Sequence, residues 1–178
     1  LTVNFSVSDT NGASSCWYKI INTSSSVIIS NETLTGCANT TFGVPRSDTY
    51  NITLYVNDSA GNLNSTEKTF SVDFNAPVVT LNYPSNSSYI GESGFYFNFT
   101  ATDFEGIDYC ELHSNFTGTF AINETFNFVT SGVQKSTLKT LSDSSYLWNV
   151  KCYDPSGLSN FSLNNYTVVV DTTKPNVS

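Results

Sequence analysis

The groups in this chain that could do chemistry are few, and their types point away from catalysis. There is one histidine, His113, and there are four cysteines, Cys16, Cys37, Cys110 and Cys152, with 15 Asp and Glu against seven Lys and Arg. No two cysteines have the Cys-x-x-Cys spacing, so a zinc ribbon and a thioredoxin-type redox site both lack their signature. A Gly-x-Ser-x-Gly elbow is absent, and Gly91-Glu92-Ser93-Gly94 does not fit one. No glycine-rich loop is present to cradle a phosphate. Paired carboxylates can hydrolyse glycosides, but each recurring Asp here has a turn or a linker to explain it. A lone histidine on a strand reads as structural. The expectation is a protein that is not an enzyme.

What is abundant is a modification signal. Asn-x-Ser/Thr occurs at Asn4, Asn22, Asn31, Asn39, Asn51, Asn57, Asn64, Asn86, Asn98, Asn115, Asn123, Asn160, Asn165 and Asn176, fourteen of the 21 asparagines. Ser and Thr make up 49 of 178 residues, so chance placement would give about six such sites. Strand alternation raises that figure, because in Asn98-Phe99-Thr100 or Asn51-Ile52-Thr53 the apolar residue points inward and its neighbours outward. The excess still favours an array of N-linked glycan acceptors. A sugar coat would also explain how a chain with only 12% charged residues keeps 14% aromatics soluble.

The elements that position these groups follow from composition and repetition. With 39% hydrophobic residues and little self-repelling charge, disorder is excluded. A net charge of −8 has the wrong sign for nucleic acid, and no apolar run approaches the ~20 residues of a membrane helix. Val3-Asn4-Phe5-Ser6-Val7-Ser8-Asp9 matches Phe97-Asn98-Phe99-Thr100-Ala101-Thr102-Asp103 at an offset of 94, which also carries Gly12 onto Gly106 and Cys16 onto Cys110. Tyr50, Asp58 and Gly61 match Tyr146, Asp154 and Gly157 at 96; Asp73 and Pro77 match Asp171 and Pro175 at 98. Two repeats with small loop insertions account for that drift. Leu1, Val3, Phe5 and Val7 alternate with Thr2, Asn4, Ser6 and Ser8, and Tyr50, Ile52, Leu54 and Val56 with Asn51, Thr53 and Tyr55, their counterparts in the second repeat being Tyr146, Trp148, Val150 and Cys152. Period two, with no amphipathic helix, predicts an all-β chain of two β-sandwiches. Four segments with Asp first and Gly fourth, beginning at Asp9, Asp58, Asp103 and Asp154, read as type I turns.

Within this frame the parsimonious cysteine pairing is inside each repeat, Cys16 with Cys37 and Cys110 with Cys152. Each bridge would stabilise its repeat by about 3–4 kcal/mol in the chain-entropy treatment. Four free thiols in a cytosolic protein are the alternative; low charge and the wealth of Ser, Thr and Asn fit an oxidising exterior better.

The run Tyr146-Leu147-Trp148-Asn149-Val150-Lys151-Cys152-Tyr153-Asp154, with Val170-Asp171-Thr172-Thr173-Lys174-Pro175 and the turn Asn57-Asp58-Ser59-Ala60-Gly61-Asn62, resembles tandem immunoglobulin-like repeats of prokaryotic cell-surface and extracellular proteins. The resemblance covers essentially the whole chain and implies two Ig-like antiparallel sandwiches. The boundaries expected are 1–75 for the first repeat, 76–174 for the second, and 175–178 for the start of another. Residues 77–94 precede the strand that begins at Phe95, and the first repeat has no counterpart to them. Its first strand is therefore expected from a preceding covalent repeat or from a neighbouring subunit. The covalent route is favoured, because a donated strand needs about ten free residues. Ig-like topology would also bring Asp103, Glu105 and Asp154 to the end where the linker carrying Asp73 enters. The metal set expected there is Asp73, Asp103 and Asp154 around Ca²⁺, the alternative being turn-capping aspartates solvated separately. No other cofactor is expected. The function implied is a structural one: a glycosylated, disulfide-stapled building block of an extracellular filament, stalk or surface array, self-associating or continuing covalently head to tail. Outward aromatics such as Trp17, Tyr55 and Tyr153 leave a second reading open, an adhesin or carbohydrate-binding module.

Overall fold

The computed structural model describes residues 1–10 and 12–177. Its chain divides into two compact units, Leu1–Phe74 and a second from Asn75 onward. Both are built of β-strands, paired antiparallel except for one parallel pair in the second unit, in which apolar side chains alternate with polar ones.

In the first unit the strands are β1 (Thr2–Val3), β2 (Ala13–Asn22), β3 (Val27–Leu34), β4 (Thr40–Thr41), β5 (Asp48–Asp58) and β6 (Leu63–Val72). One sheet has the order β3-β2-β5-β6, and the facing layer is only the short pair β1-β4. The buried core is Cys16, Tyr18, Ile20, Leu34, Tyr50 and Leu54. The strand expected over Leu1 to Val7 has strand register only at Thr2 and Val3, which pair with Thr41 and Thr40. Its side chains nevertheless keep the alternation, with Val3, Phe5 and Val7 half-buried between exposed neighbours.

The second unit adds β7 (Val78–Tyr83), β8 (Ser88–Ile90), β9 (Gly94–Thr102), β10 (Tyr109–Ser114), β11 (Ala121–Asn127), β12 (Gln134–Thr140), β13 (Ser144–Tyr153), β14 (Ser159–Phe161) and β15 (Tyr166–Val170). A sheet of order β11-β10-β13-β15-β8, with β14 also on β13, faces a three-stranded sheet β12-β9-β7. Between them lies a continuous core from Phe95, Phe97 and Phe99 on one side to Leu112, Trp148, Val150 and Val168 on the other. Trp148 is sealed edge-on against Phe97, with ring centroids 4.9 Å apart.

Each unit also has the tyrosine corner found in Ig-like sandwiches. The Tyr50 hydroxyl donates to the Arg46 carbonyl at 2.8 Å, and the Tyr146 hydroxyl to the Ser142 carbonyl at 3.0 Å. The Asp-x-x-Gly segments at Asp58 and Asp154 close as read: the Gly61 amide donates to the Asp58 carbonyl and that of Gly157 to the Asp154 carbonyl. Both glycines sit at φ near +85°, where a Cβ would be strained.

Candidate functional site

The cysteines close two bridges, Cys16–Cys37 and Cys110–Cys152, and none is free. They arise differently. In β10 and β13, Cys110 stands directly opposite Cys152 in the strand register, and the bridge joins neighbouring strands. At the corresponding place in the first unit Cys16 stands opposite Val56, so its sulfur turns instead to Cys37 in the 3-10 turn Thr35–Cys37. Positive φ at Gly36 and Cys37 folds that turn back.

Of the carboxylates singled out for a cation, Asp73 closes the first unit, where its Oδ1 accepts from the Ser47 hydroxyl at 2.9 Å. Asp103 and Asp154 belong to the second unit, and each offers a carboxylate oxygen within 4.8 Å of the other. Oxygens that ligate one calcium ion at about 2.4 Å lie at most about 4.8 Å apart, so this pair is within coordinating reach. Asp154 is only 1% exposed. Its Oδ1 accepts from the Leu158 amide at 2.9 Å, while its Oδ2 has neither a hydrogen-bond partner nor solvent contact. A buried carboxylate oxygen left in that condition is costly, and a hard divalent cation is a group that satisfies it. Asp103 Oδ1 accepts from the Glu105 amide at 2.9 Å, and Glu105 is turned to the Ser156 hydroxyl at 2.7 Å. Glu105 is thus spent on the turn.

The sequon asparagines fall into two groups. Asn4, Asn31, Asn39, Asn64, Asn86, Asn160, Asn165 and Asn176 are exposed, and Asn51, Asn57, Asn98, Asn115 and Asn123 are half-buried. In several the amide oxygen is tied to the fold: Asn39 accepts from the Phe5 amide, Asn51 from the Thr69 hydroxyl, Asn86 from the Thr167 amide, and Asn115 from the Leu147 amide. Among the described residues, the amide nitrogen, where a glycan attaches, makes no hydrogen bond at these four. Asn22 differs. It is 1% exposed; its oxygen accepts from the Ser26 amide and staples the turn between β2 and β3, while its nitrogen donates to Asp48 at the start of β5.

Strand register also assembles a cluster that spacing alone does not reveal. On one face of the β10–β13 pair, Tyr109 stacks on Tyr153 at 4.3 Å, and the Lys151 ammonium lies 4.6 Å from the Tyr153 ring centre. Glu111 accepts from the Tyr153 hydroxyl at 3.3 Å and lies 3.1 Å from His113 Nε2. Burial pushes the Tyr109 hydroxyl up, helped by the phenol of Tyr153 and the carboxylate of Glu111. Lys151 is raised by its hydrogen bond with Tyr153. In the first unit Trp17 stacks on Tyr55 at 5.5 Å as a directly opposed pair. In both places the rings cover one another, as cross-strand pairs do.

Among solved structures the chain is similar to a tetra-tandem repeat from the extending region of a large adhesion protein, at 14% identity and a TM-score of 0.47, over 90% of this chain and 42% of that one. It is also similar to the FN1–FN3 domains of chicken CNTN1, at 11% identity and a TM-score of 0.37, over 91% of this chain and 58% of that one. An engineered protein matches 53% of the chain at 12% identity and a TM-score of 0.41, over 20% of its own length. The chain thus spans less than two thirds of each of these proteins. No family model and no curated protein matches the sequence.

Proposed function

We propose that the chain is a structural building block of a glycosylated extracellular filament, stalk or surface array made of Ig-like repeats. The observation that carries this reading is the pairing of two Ig-like units in tandem, each with its own disulfide, with eight of the fourteen sequon asparagines exposed and only Asn22 buried. Disulfides favour an oxidising compartment. Repetition of one unit gives length without new chemistry, since each repeat adds its own stability and a neighbour interface. The sugar-binding alternative is less favoured, because the stacked pairs Trp17–Tyr55 and Tyr109–Tyr153 turn ring faces toward each other rather than toward a ligand.

A non-reduced glycopeptide mass map of native material tests the reading. Sugar on the exposed sequons, a bare Asn22 and two bridges within units would support it. Bare asparagines throughout would overturn it.

Calcium belongs to the same reading, held in the second unit by Asp103 and Asp154 with water completing the shell. Adding Ca²⁺ to chelator-treated protein should raise the melting temperature of the second unit by several degrees, and Asp154→Asn should erase the shift. A wild-type melting curve that ignores both calcium and chelator removes the ion from the proposal.

A further inference from the structure

We propose that a glycan on Asn98 is a built-in layer of the second unit, its first sugar lying down on the outward face of the β12-β9-β7 sheet over Tyr96, Tyr83 and Leu138. β9 is the middle strand of that sheet. Its inward residues Phe95, Phe97, Phe99 and Ala101 fill the core, which leaves Tyr96, Asn98, Thr100 and Thr102 on the opposite face. Strand register completes that face. Thr100, Asn98 and Tyr96 stand opposite Gln134, Ser136 and Leu138 of β12, while Thr102 and Thr100 stand opposite Val78 and Thr80 of β7. A bulge in β7 then brings Tyr83 opposite Asn98. None of these outward residues is charged.

Apolar surface is gathered around the asparagine. Tyr96 is 54% exposed, Leu138 55% and Tyr83 37%. Single exposed apolar side chains are ordinary, but here three surround one sequon. Tyr96 lies two residues before Asn98 on the same face, about 7 Å back along the strand. Tyr83 is directly across at about 5 Å and Leu138 diagonally across at about 7–8 Å, the usual cross-strand spacings. Those are the neighbours that a ring joined to Asn98 meets first. One face of a sugar ring presents C–H bonds, which the negative face of an aromatic ring attracts.

Asn98 is turned to deliver the sugar there. Its Oδ1 is buried and has no hydrogen-bond partner, whereas Nδ2, the atom that carries a glycan, is neither buried nor hydrogen-bonded among the described residues. Two other sequons give the comparison. Asn57 also buries an unpartnered Oδ1 and has a tyrosine, Tyr55, two residues before it, but that ring is already stacked on Trp17. Asn4 matches Asn98 at the offset of 94, yet Thr2 stands where Tyr96 does. Tyr96 stacks on no ring among the described residues, so its face is open. Alternation accounts for a polar Thr100 beside Asn98; it does not call for tyrosine and leucine on the solvent side.

The inference rests on the glycosylated-array reading for the presence of sugar, and adds where one glycan lies and what it covers. A sugar laid over Tyr96 takes apolar surface out of water and so stabilises the fold, which a projecting one does not.

The test uses the full chain with its native glycans. Sugar C–H resonances at Asn98 should be shifted upfield by the tyrosine ring and show Overhauser contacts to Tyr96, and both signs should vanish in Tyr96→Ser. Asn98→Gln, which removes the sugar, should lower the melting temperature of the second unit by about 4 °C or more. Asn4→Gln should leave that of the first unit unchanged. Tyr96→Ser should cost stability in the glycosylated chain and nothing further in the Asn98→Gln background. A sugar on Asn98 without the upfield shift, an unchanged melting temperature in Asn98→Gln, an equal cost of Tyr96→Ser in both backgrounds, or a bare Asn98 would overturn the proposal. A bare Asn98 beside sugar on the exposed sequons would leave the array reading intact. A stacked sugar in a chain that does not assemble would keep this seat and sink the array.

Discussion

The two units follow one plan to different degrees of completion. Cys16 opposite Val56 and Cys110 opposite Cys152 occupy the same register position, and the tyrosine corners at Tyr50 and Tyr146 coincide. Yet the second unit buries three phenylalanines of β9 and a tryptophan between two full sheets, while the first buries six residues under one sheet and a two-residue pair. The difference shows that alternation and turn chemistry specify where strands run, whereas stability depends on whether the second layer is there to cover them. A half-covered sheet gains little from burial and must lean more heavily on its cross-link.

Core truncation should break the symmetry most. Phe97→Ala in the second unit should cost about 3–5 kcal/mol, and Leu54→Ala in the first only about 2 kcal/mol, the low end for such sites. Denaturant-dependent hydrogen exchange, read unit by unit, checks this, and equal costs would mean that the first core is closed.

Reduction should rank next. Cys37 is half-buried whereas Cys110 and Cys152 have no exposure, so mild reductant should open Cys16–Cys37 first. Loss of that bridge should lower the first unit's stability by about 3 kcal/mol and release it before the second. Alkylation of Cys110 ahead of Cys37 would reverse the comparison.

Smallest are the acid effects. Asp58 is held below the usual carboxylate range by the side chain and amide of Asn62, and Asp143 by the hydroxyl and amide of Thr172 and the hydroxyl of Thr173. A depressed folded-state pKa gives stability that is present above the unfolded value, about 3.9, and is lost as pH falls through the folded one. Both units should therefore weaken below about pH 4. Asp58→Asn should flatten the acid limb of the first unit alone and Asp143→Asn that of the second, as followed by amide exchange near residues 62 and 172.

Much of the fold was readable because its signals are local. Period-two alternation in Tyr50–Val56 and Tyr146–Cys152 and the Asp-x-x-Gly turns need no partner to be recognised. What needed a partner was misjudged in extent: Val3, Phe5 and Val7 carry a strand's pattern, but β1 pairs only over two residues because β4 opposite it is two residues long. Sequon spacing does not sense burial, so Asn22 scored like Asn4 although its amide is locked in a turn. The cluster of Tyr109, Glu111, Lys151 and Tyr153 depends on cross-strand register, which spacing along one strand does not carry. Asp103 and Asp154 were legible because each opens a turn at the end of a strand, but the solitary Oδ2 of Asp154 is a property of packing.

The bridge between β10 and β13 has a mechanical side. A chain pulled from outside Cys110 and Cys152 cannot pay out the loop between them, a sequence separation of 42 residues. At about 3.4 Å per extended residue, that removes roughly 140 Å from the length the second unit can yield under load. The Cys16–Cys37 bridge, with a separation of 21, removes about half as much from the first. A tether built this way stretches in short, bounded steps and resists being drawn out to a thread, until a reductant lengthens it.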